Sequence, residues 1–413
     1  MIEISGQKKV QQETLKTFKK HRPSEYFSHL GTTQSFFEHD AKVERLYRFG
    51  LTFPPEMFNG KTLIDLGAGT GEHTVSVARW GAKCTLVDMN SDALEVAQKN
   101  FAQFVPDFSG HQFISESLYD IDLKNLAGSF DISHSRGVFT HVADKKKAFN
   151  ILSSLAKPGG YVIYGDRNTS GGVQEMLQRL AIYKLGGNSD EKIVEIAELL
   201  FSEDIDRSQK SVPRTREAII FDRWVIQQQD DPSVAEVLDM FQNEGLEYVS
   251  SWPRIDFAAR GTSTFSEPRN WDTLKKGARL TEILWMLLNK GESENIESYE
   301  SGISENFDAL NSTVFKLRNL QKNTSLDTRA LLRDFHKLAG AVTTSAKRSS
   351  VLAERLLKFF SETTRFLEMI EKREKLVVIR NAIDGFEVLF KGFTGLRHVD
   401  YVAYKPKNDK EKF

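Results

Sequence analysis

From residue 61 to residue 165, short apolar runs alternate with stretches in which apolar positions recur every three or four residues. The first pattern predicts strands and the second helices. KTLIDL (61–66), CTLVD (84–88), HQFIS (111–115), FDISHS (130–135) and YVIYG (161–165) are the five expected strands. Between them GEHTVSVARWG is a helix closed by Gly81, SDALEVAQKNF opens on Ser91 as its N-cap, and ADKKKAFNILSSLAKPGG ends at Pro158-Gly159-Gly160. Strands and helices alternating at such short spacing imply an α/β, doubly wound parallel sheet whose ligand lies beyond the carboxyl ends of the strands.

The flanks follow other patterns. Residues 1–50 read as a mostly helical cap, with an aromatic-rich patch EYFSHLGTTQSFFEHD at 25–40. Beyond the fifth strand, polar Asn168–Gly172 leads into helical patterns over about 173–230, and SVAEVLDMFQNEGLEYVSSW (233–252) reads as a helix stopped by Gly245 with a strand behind it. Residues 51–252 are thus the expected core, carrying one helical insertion. From 271 to 384 the pattern is helical almost throughout, with Leu352, Leu356, Phe359, Phe360 and Leu367 on buried faces. GFEVLFKGFTGLRHVDYVAYKP, over 385–406, returns to strand chemistry, and a lone strand needs a sheet. Reading HVDYVAYKP as the last, antiparallel strand of the core makes 271–384 an insertion and 385–406 closing strands. A rival arrangement ends the sheet at GLEYVSSW and pairs GFEVLFKG with HVDYVAYKP in a separate hairpin.

Composition narrows the class. With 413 residues, 40% hydrophobic and 27% charged, the chain reads as globular, and no apolar run approaches the length of a membrane span. The N-terminal MIEISGQKKVQQETLK lacks the apolar region of a secretory signal, and a single cysteine, Cys84, excludes an internal disulfide framework. A cytoplasmic location is the expectation. The net charge of −1 gives no basic excess, so nucleic acid is not an expected partner. Charge is nonetheless uneven: 292–308 is strongly acidic, while the last hundred or so residues carry roughly twenty Lys/Arg against about a dozen Asp/Glu. Solvated helix faces are the simpler reading, and an anionic partner on the C-terminal part is the alternative.

The chemistry sits after the first strand, in Asp65-Leu66-Gly67-Ala68-Gly69-Thr70-Gly71-Glu72. Glycines let the backbone approach a ligand that a Cβ would exclude, and free N–H groups at the start of the following helix favour anionic ligand atoms. At the end of the second strand, 17 positions beyond Gly71, stands Asp88, where doubly wound folds place an acid on ribose hydroxyls. A dinucleotide fingerprint would need glycine at position 72, which holds Glu72; the spacing here is an acid followed by G-x-G-x-G. On these residues the chain resembles the class I S-adenosylmethionine (SAM)-dependent methyltransferases, in particular their small-molecule branch. FDISHSRGVFTHVADKKKAFNILSSLAKPGGYVIYG (130–165) extends the resemblance with the superfamily's fourth and fifth motifs.

The resemblance implies a Rossmann-like seven-stranded sheet and S-adenosylmethionine as cofactor, with no metal. Carried over by position, Asp65 organises the loop, Gly67, Ala68, Gly69, Thr70 and Gly71 cradle the methionine part, and Asp88 with Met89 holds the ribose. Glu116 or Ser117 serves the adenine, and Ser135 and Arg136 line the site beside the methyl. Methyl transfer needs an aligned acceptor and excluded water, and a base is optional. His141 occupies the place where the resembling enzymes often have a histidine, and Asp166 is a competing catalytic candidate. There is no [DNS]-P-P-[YFW] tetrapeptide and no exposed nucleophilic cysteine, which points to a small-molecule O or N acceptor; Phe36, Phe37, Tyr164, Trp224 and Trp252 are available to wall its pocket. A macromolecular methyltransferase acting on RNA or a carrier-bound substrate, and a non-catalytic SAM-binding module, are the alternatives. The helical insertion is also a surface on which a homodimer could form.

Overall fold

A computed structural model describes residues 2–21, 32–187, 189–211, 215–225, 230–255, 271–287, 314, 317, 328–345, 351–391 and 398–407. The acidic stretch 292–308 and part of the aromatic patch at 25–40 lie outside the described residues. Helices α1 (Ile2–His21) and α2 (Thr33–Arg45) precede strand β1 (Thr62–Leu66), and then come α3 (Thr74–Arg79), β2 (Lys83–Val87), α4 (Ser91–Phe104), β3 (Gln112–Ile114), β4 (Phe130–Arg136), α5 (Lys145–Leu155) and β5 (Ala156–Arg167). Helices α6 (Val173–Gly186) and α7 (Asp190–Ser211) leave the sheet, which α8 (Val234–Asn243) and β6 (Glu247–Trp252) rejoin. Helices α9 (Trp271–Leu287), α10 (Thr328–Ser345), α11 (Val351–Glu371) and α12 (Leu376–Asp384) precede β7 (His398–Tyr404) among the described residues.

The seven strands form one sheet in the order β3-β2-β1-β4-β5-β7-β6, with β1 to β5 parallel and β7 antiparallel to both its neighbours. The fold is therefore a Rossmann-like α/β arrangement with a seven-stranded sheet. Chain order reverses between β1 and β4, which opens a crevice there for a ligand. HVDYVAY joins the core sheet, but not at its edge: it fills the slot between β5 and β6, and β6 takes the edge. Its five residues from Val399 to Ala403 are all buried, because helices cover both faces of the sheet at that point.

Three apolar clusters hold the molecule together. One packs α2, α3 and α4 on one sheet face through Phe36, Val75 and Phe101, and a second packs α5, α8 and α9 on the other through Phe149, Phe241 and Trp285. The third stands apart from the sheet and joins α6 and α7 to α10, α11 and α12 around Leu180, Trp224, Phe335 and Phe366. The two helical segments on either side of β6 thus share one core and form a single lobe.

Local differences from the sequence reading have physical causes. The α4 helix is capped by Asn90, not Ser91, since the Asn90 side chain accepts from the Asp92 N–H. GFEVLFKG does not make a strand. After α12 its backbone turns, the N–H groups of Glu387, Val388 and Leu389 donate to the Glu362 carboxylate at 2.7–3.0 Å, and Val388, Leu389 and Phe390 are buried in the lobe. With three consecutive amides bound to one carboxylate, no ladder partner is needed.

Candidate functional site

Between β1 and α3 the backbone takes positive φ at Gly67, Gly69 and Gly71 (+73°, +55° and +67°), a region that side chains disfavour. The amides of Gly67 and Ala68 donate to the Val87 carbonyl at 2.8 and 3.1 Å, which ties the loop to the end of β2. Asp88 completes the tie. Its carboxylate accepts from the Gly69 N–H at 2.8 Å and from the Asn90 N–H at 2.7 Å, so both oxygens are oriented before any ligand arrives. Burial raises the Asp88 carboxyl above its ordinary value, while these two N–H bonds pull it back. A Cβ on Gly69 would meet no protein atom within 4 Å and would stand in the open space beyond the loop.

That space is a cavity of about 940 Å³, lined at one end by Gly67–Thr70, Asp88, Met89, Glu116 and Ser117. Helix α1 covers this end, where Gln11 donates to Ser117 at 2.8 Å and Lys19 pairs with Asp92 at 3.2 Å. His141 lines the middle, edge-on to Phe18 with ring centroids 5.5 Å apart. Beyond the ends of β4, β5 and β7 the lining changes to His39, His73, Arg136, Arg167 and His398. Here Arg136 pairs with Asp400 at 2.7 Å, His398 approaches the same carboxylate at 3.2 Å, and Arg167 pairs with Glu175 and lies 3.5 Å from Asp231. Gly165 makes room for the first pair, since a Cβ there would fall 2.1 Å from Asp400 Oδ1. Burial alone would raise the Asp400 carboxyl, but Arg136 and His398 hold it well below the usual carboxylate range. His39 is pushed down to about 4 by burial and then by Arg136 and Lys42, and His73 is lowered well below its ordinary value by burial and Arg136.

Four expected site residues do not reach the cavity. Asp65 lies beneath the loop, accepting from Thr74 Oγ1 and bonded to His134 Nδ1 at 2.7 Å. Gly71 turns inward, where a Cβ would press on Ala97 and Leu86 at 3.0 Å. Ser135 Oγ donates to the Leu66 carbonyl at 2.8 Å, joining β4 to β1. Asp166 is buried and accepts from Thr140 N, Thr140 Oγ1, Tyr164 Oη and Arg167 N at 2.6–3.2 Å, so its carboxylate clamps the loop after β4 and has no edge left for a substrate proton. Nor do the nominated aromatics wall the cavity: Phe36, Tyr164 and Trp224 belong to the apolar cores, and Phe37 and Trp252 are exposed at 50% and 48%. Of the wall that does exist, from His39 to His398, only Arg136 was expected; His39, His73, Arg167 and His398 were missed. The wall brings together residues from five separate segments, and of those missed only His73, two positions past the glycine motif, carried a local signal.

A site in which an acid at the end of β2 grips the glycine loop after β1 defines a nucleotide-type cofactor site on a doubly wound sheet. Residues 58–219 match a family described as a methyltransferase domain. Over these residues the chain is similar to a methyltransferase domain. A ubiquinone biosynthesis O-methyltransferase of Alkalilimnicola ehrlichii is 32% identical over 109 residues, which is 26% of this chain and 42% of that protein. The enzyme of the same description from Escherichia coli is 31% identical over 148 residues, 34% of this chain and 59% of that one. The chain therefore spans about half the length of the curated relatives it matches. A magnesium protoporphyrin IX methyltransferase from Synechocystis superposes with a TM-score of 0.33 at 13% identity, over 52% of this chain and 75% of that one, too weak a likeness to add to the topology above.

Proposed function

We propose that this chain transfers a methyl group from S-adenosylmethionine to a hydroxyl oxygen of a small molecule. The observation that carries the reading is the single cavity that joins the Asp88 and glycine-loop end to a wall of histidines and arginines; its volume suits a cofactor and a small acceptor side by side. In this reading the two Asp88 oxygens take the vicinal ribose hydroxyls, Met89 flanks the sugar, and Glu116 and Ser117 face the adenine under the cover of α1. Gly67, Ala68, Gly69 and Thr70 offer backbone to the methionine part, while Asp65, Gly71 and Ser135 hold the loop and strands that present it. When bound, S-adenosylmethionine supplies a methyl carbon on a positively charged sulfur.

The protein's task is then to align the acceptor and exclude water. Arg136, held by Asp400, and His141 border the acceptor's space. The relatives named as O-methyltransferases favour oxygen over nitrogen as the acceptor atom. No helix among the described residues is long and apolar enough to cross a membrane, and we place the enzyme in the cytoplasm. A homodimer through the helical lobe is part of the proposal, and sedimentation would check it. The direct experiment is incubation with methyl-labelled S-adenosylmethionine and a panel of phenols, catechols and amines, with mass identification of the product. Label on a hydroxyl supports the reading, and label confined to amines or to RNA overturns it.

A further inference from the structure

Below the glycine loop, four side chains form a hydrogen-bonded line from Asp65 to the cavity. Asp65 Oδ1 lies 2.7 Å from His134 Nδ1, His134 Nε2 lies 3.2 Å from the Tyr47 hydroxyl, and that hydroxyl lies 3.1 Å from His73 Nε2. The two imidazoles stack at 5.5 Å with an interplanar angle of 8°. Asp65, His134 and Tyr47 are buried, whereas His73 is only half-buried and lines the cavity.

The order of donors is set from one end. A carboxylate oxygen only accepts, so the proton on His134 sits on Nδ1 and its Nε2 accepts from the Tyr47 hydroxyl. The Tyr47 oxygen then accepts from His73 Nε2–H, which leaves the His73 Nδ1 lone pair as the end of the line. That nitrogen has no hydrogen-bond partner among the described residues, and it is not one of the buried unpaired atoms. Burial, and next the charge of Asp400, hold the Tyr47 phenol well above its ordinary value, so it stays a hydroxyl able to pass a proton in either direction.

We propose that Asp65, His134, Tyr47 and His73 form a proton relay that carries the acceptor's hydroxyl proton out of the cavity, with His73 as the catalytic residue and the other three as positioning residues. The proposal rests on the methyl-transfer reading above. As the acceptor oxygen bonds to the methyl carbon, the carbon–sulfur bond breaks with its electron pair left on sulfur, and the O–H proton passes to His73 Nδ1. His73 gives its Nε2 proton to the Tyr47 oxygen, and Tyr47 gives its own to His134 Nε2. One positive charge is lost at sulfur and one appears on His134. The direction follows from the charges: a cation on His73 faces Arg136, whereas on His134 it sits 2.7 Å from the Asp65 carboxylate. The remaining charged or titratable groups that face the line are His39, Cys84 and Asp400.

The test is long-range nitrogen-15 NMR of the imidazoles in the full chain without ligand. His73 is expected as the neutral Nε2–H form at pH 7. Tyr47→Phe keeps the ring and deletes the link, and should release His73 from that single tautomer. A His73 carrying its proton on Nδ1 overturns the relay. With labelled S-adenosylmethionine and catechol, Tyr47→Phe should lower kcat about tenfold or more at unchanged cofactor KM, and unchanged turnover would also overturn it. A wild-type chain that methylates no phenol while His73 still shows the neutral Nε2–H form counts against the methyl-transfer reading and not against the hydrogen-bonded line.

Discussion

The two ends of the cavity are built by different means. At the cofactor end a contiguous loop presents backbone, and one acid, Asp88, fixes it through the Gly69 amide. At the proposed acceptor end the surface is made of side chains from the cap, the N-cap of α3, β4, β5 and β7, held by ion pairs such as Arg136–Asp400. The first kind of site needs only local geometry and so survives change in the rest of the chain. The second depends on the whole sheet being closed, because its residues meet only when β7 enters between β5 and β6.

Removing the closing strand gives the strongest test of that contrast. Truncation after residue 270 deletes β7 along with α9 to α12, strips β5 of its antiparallel partner and leaves Arg136 without Asp400. The fragment should be insoluble or unable to bind S-adenosylmethionine, and a soluble, cofactor-binding fragment would contradict the single-sheet account. Gly69→Val strikes only the cofactor end. Circular dichroism should show an intact fold while calorimetry shows no detectable binding, since the side chain would occupy the cavity in a strained backbone conformation.

Asp166→Ala separates positioning from catalysis. Loss of a buried carboxylate that accepts four hydrogen bonds should destabilise the fold by about 2–4 kcal/mol in urea unfolding, with cofactor affinity kept in the folded fraction. Full stability with abolished turnover would return Asp166 to the catalytic list. The smallest effect is a pH dependence at the acceptor end. The His39 pKa falls from an ordinary 6.5 to about 4 on folding, so the unfolded chain binds more protons between those values, and stability is lost as pH drops from 6.5 towards 4. Thermal melts should show that slope flattened in His39→Gln, and an unchanged slope would mean that His39 is not held neutral.

The same contrast explains what the sequence disclosed. Strands β1 to β5, the glycine loop and Asp88 were legible because short apolar runs, a G-x-G-x-G spacing and a strand-end acid are all local patterns. HVDYVAYKP was legible as a strand of this sheet by its alternation, although its place inside the edge was not: order across a sheet depends on which faces the helices cover. GFEVLFKG was misread since its apolar residues bury in the lobe while Glu362 takes its amides. Asp166, a competing catalytic candidate in the sequence, turns to Thr140, a partner that no spacing rule predicts. His39, Arg167 and His398 carried no signal at all, because nothing in a single sequence says that positions so far apart will share a wall.

The central claim is that the Asp88 carboxylate and the glycine loop hold S-adenosylmethionine. Calorimetric titration of the cofactor into the wild-type chain and Asp88→Ala tests it most directly. The account predicts one site per chain, weakened in the variant by about 1–3 kcal/mol, the range for hydrogen bonds to a charged group, with the melting temperature little changed. No binding to the wild type, or equal affinity in both, would contradict it.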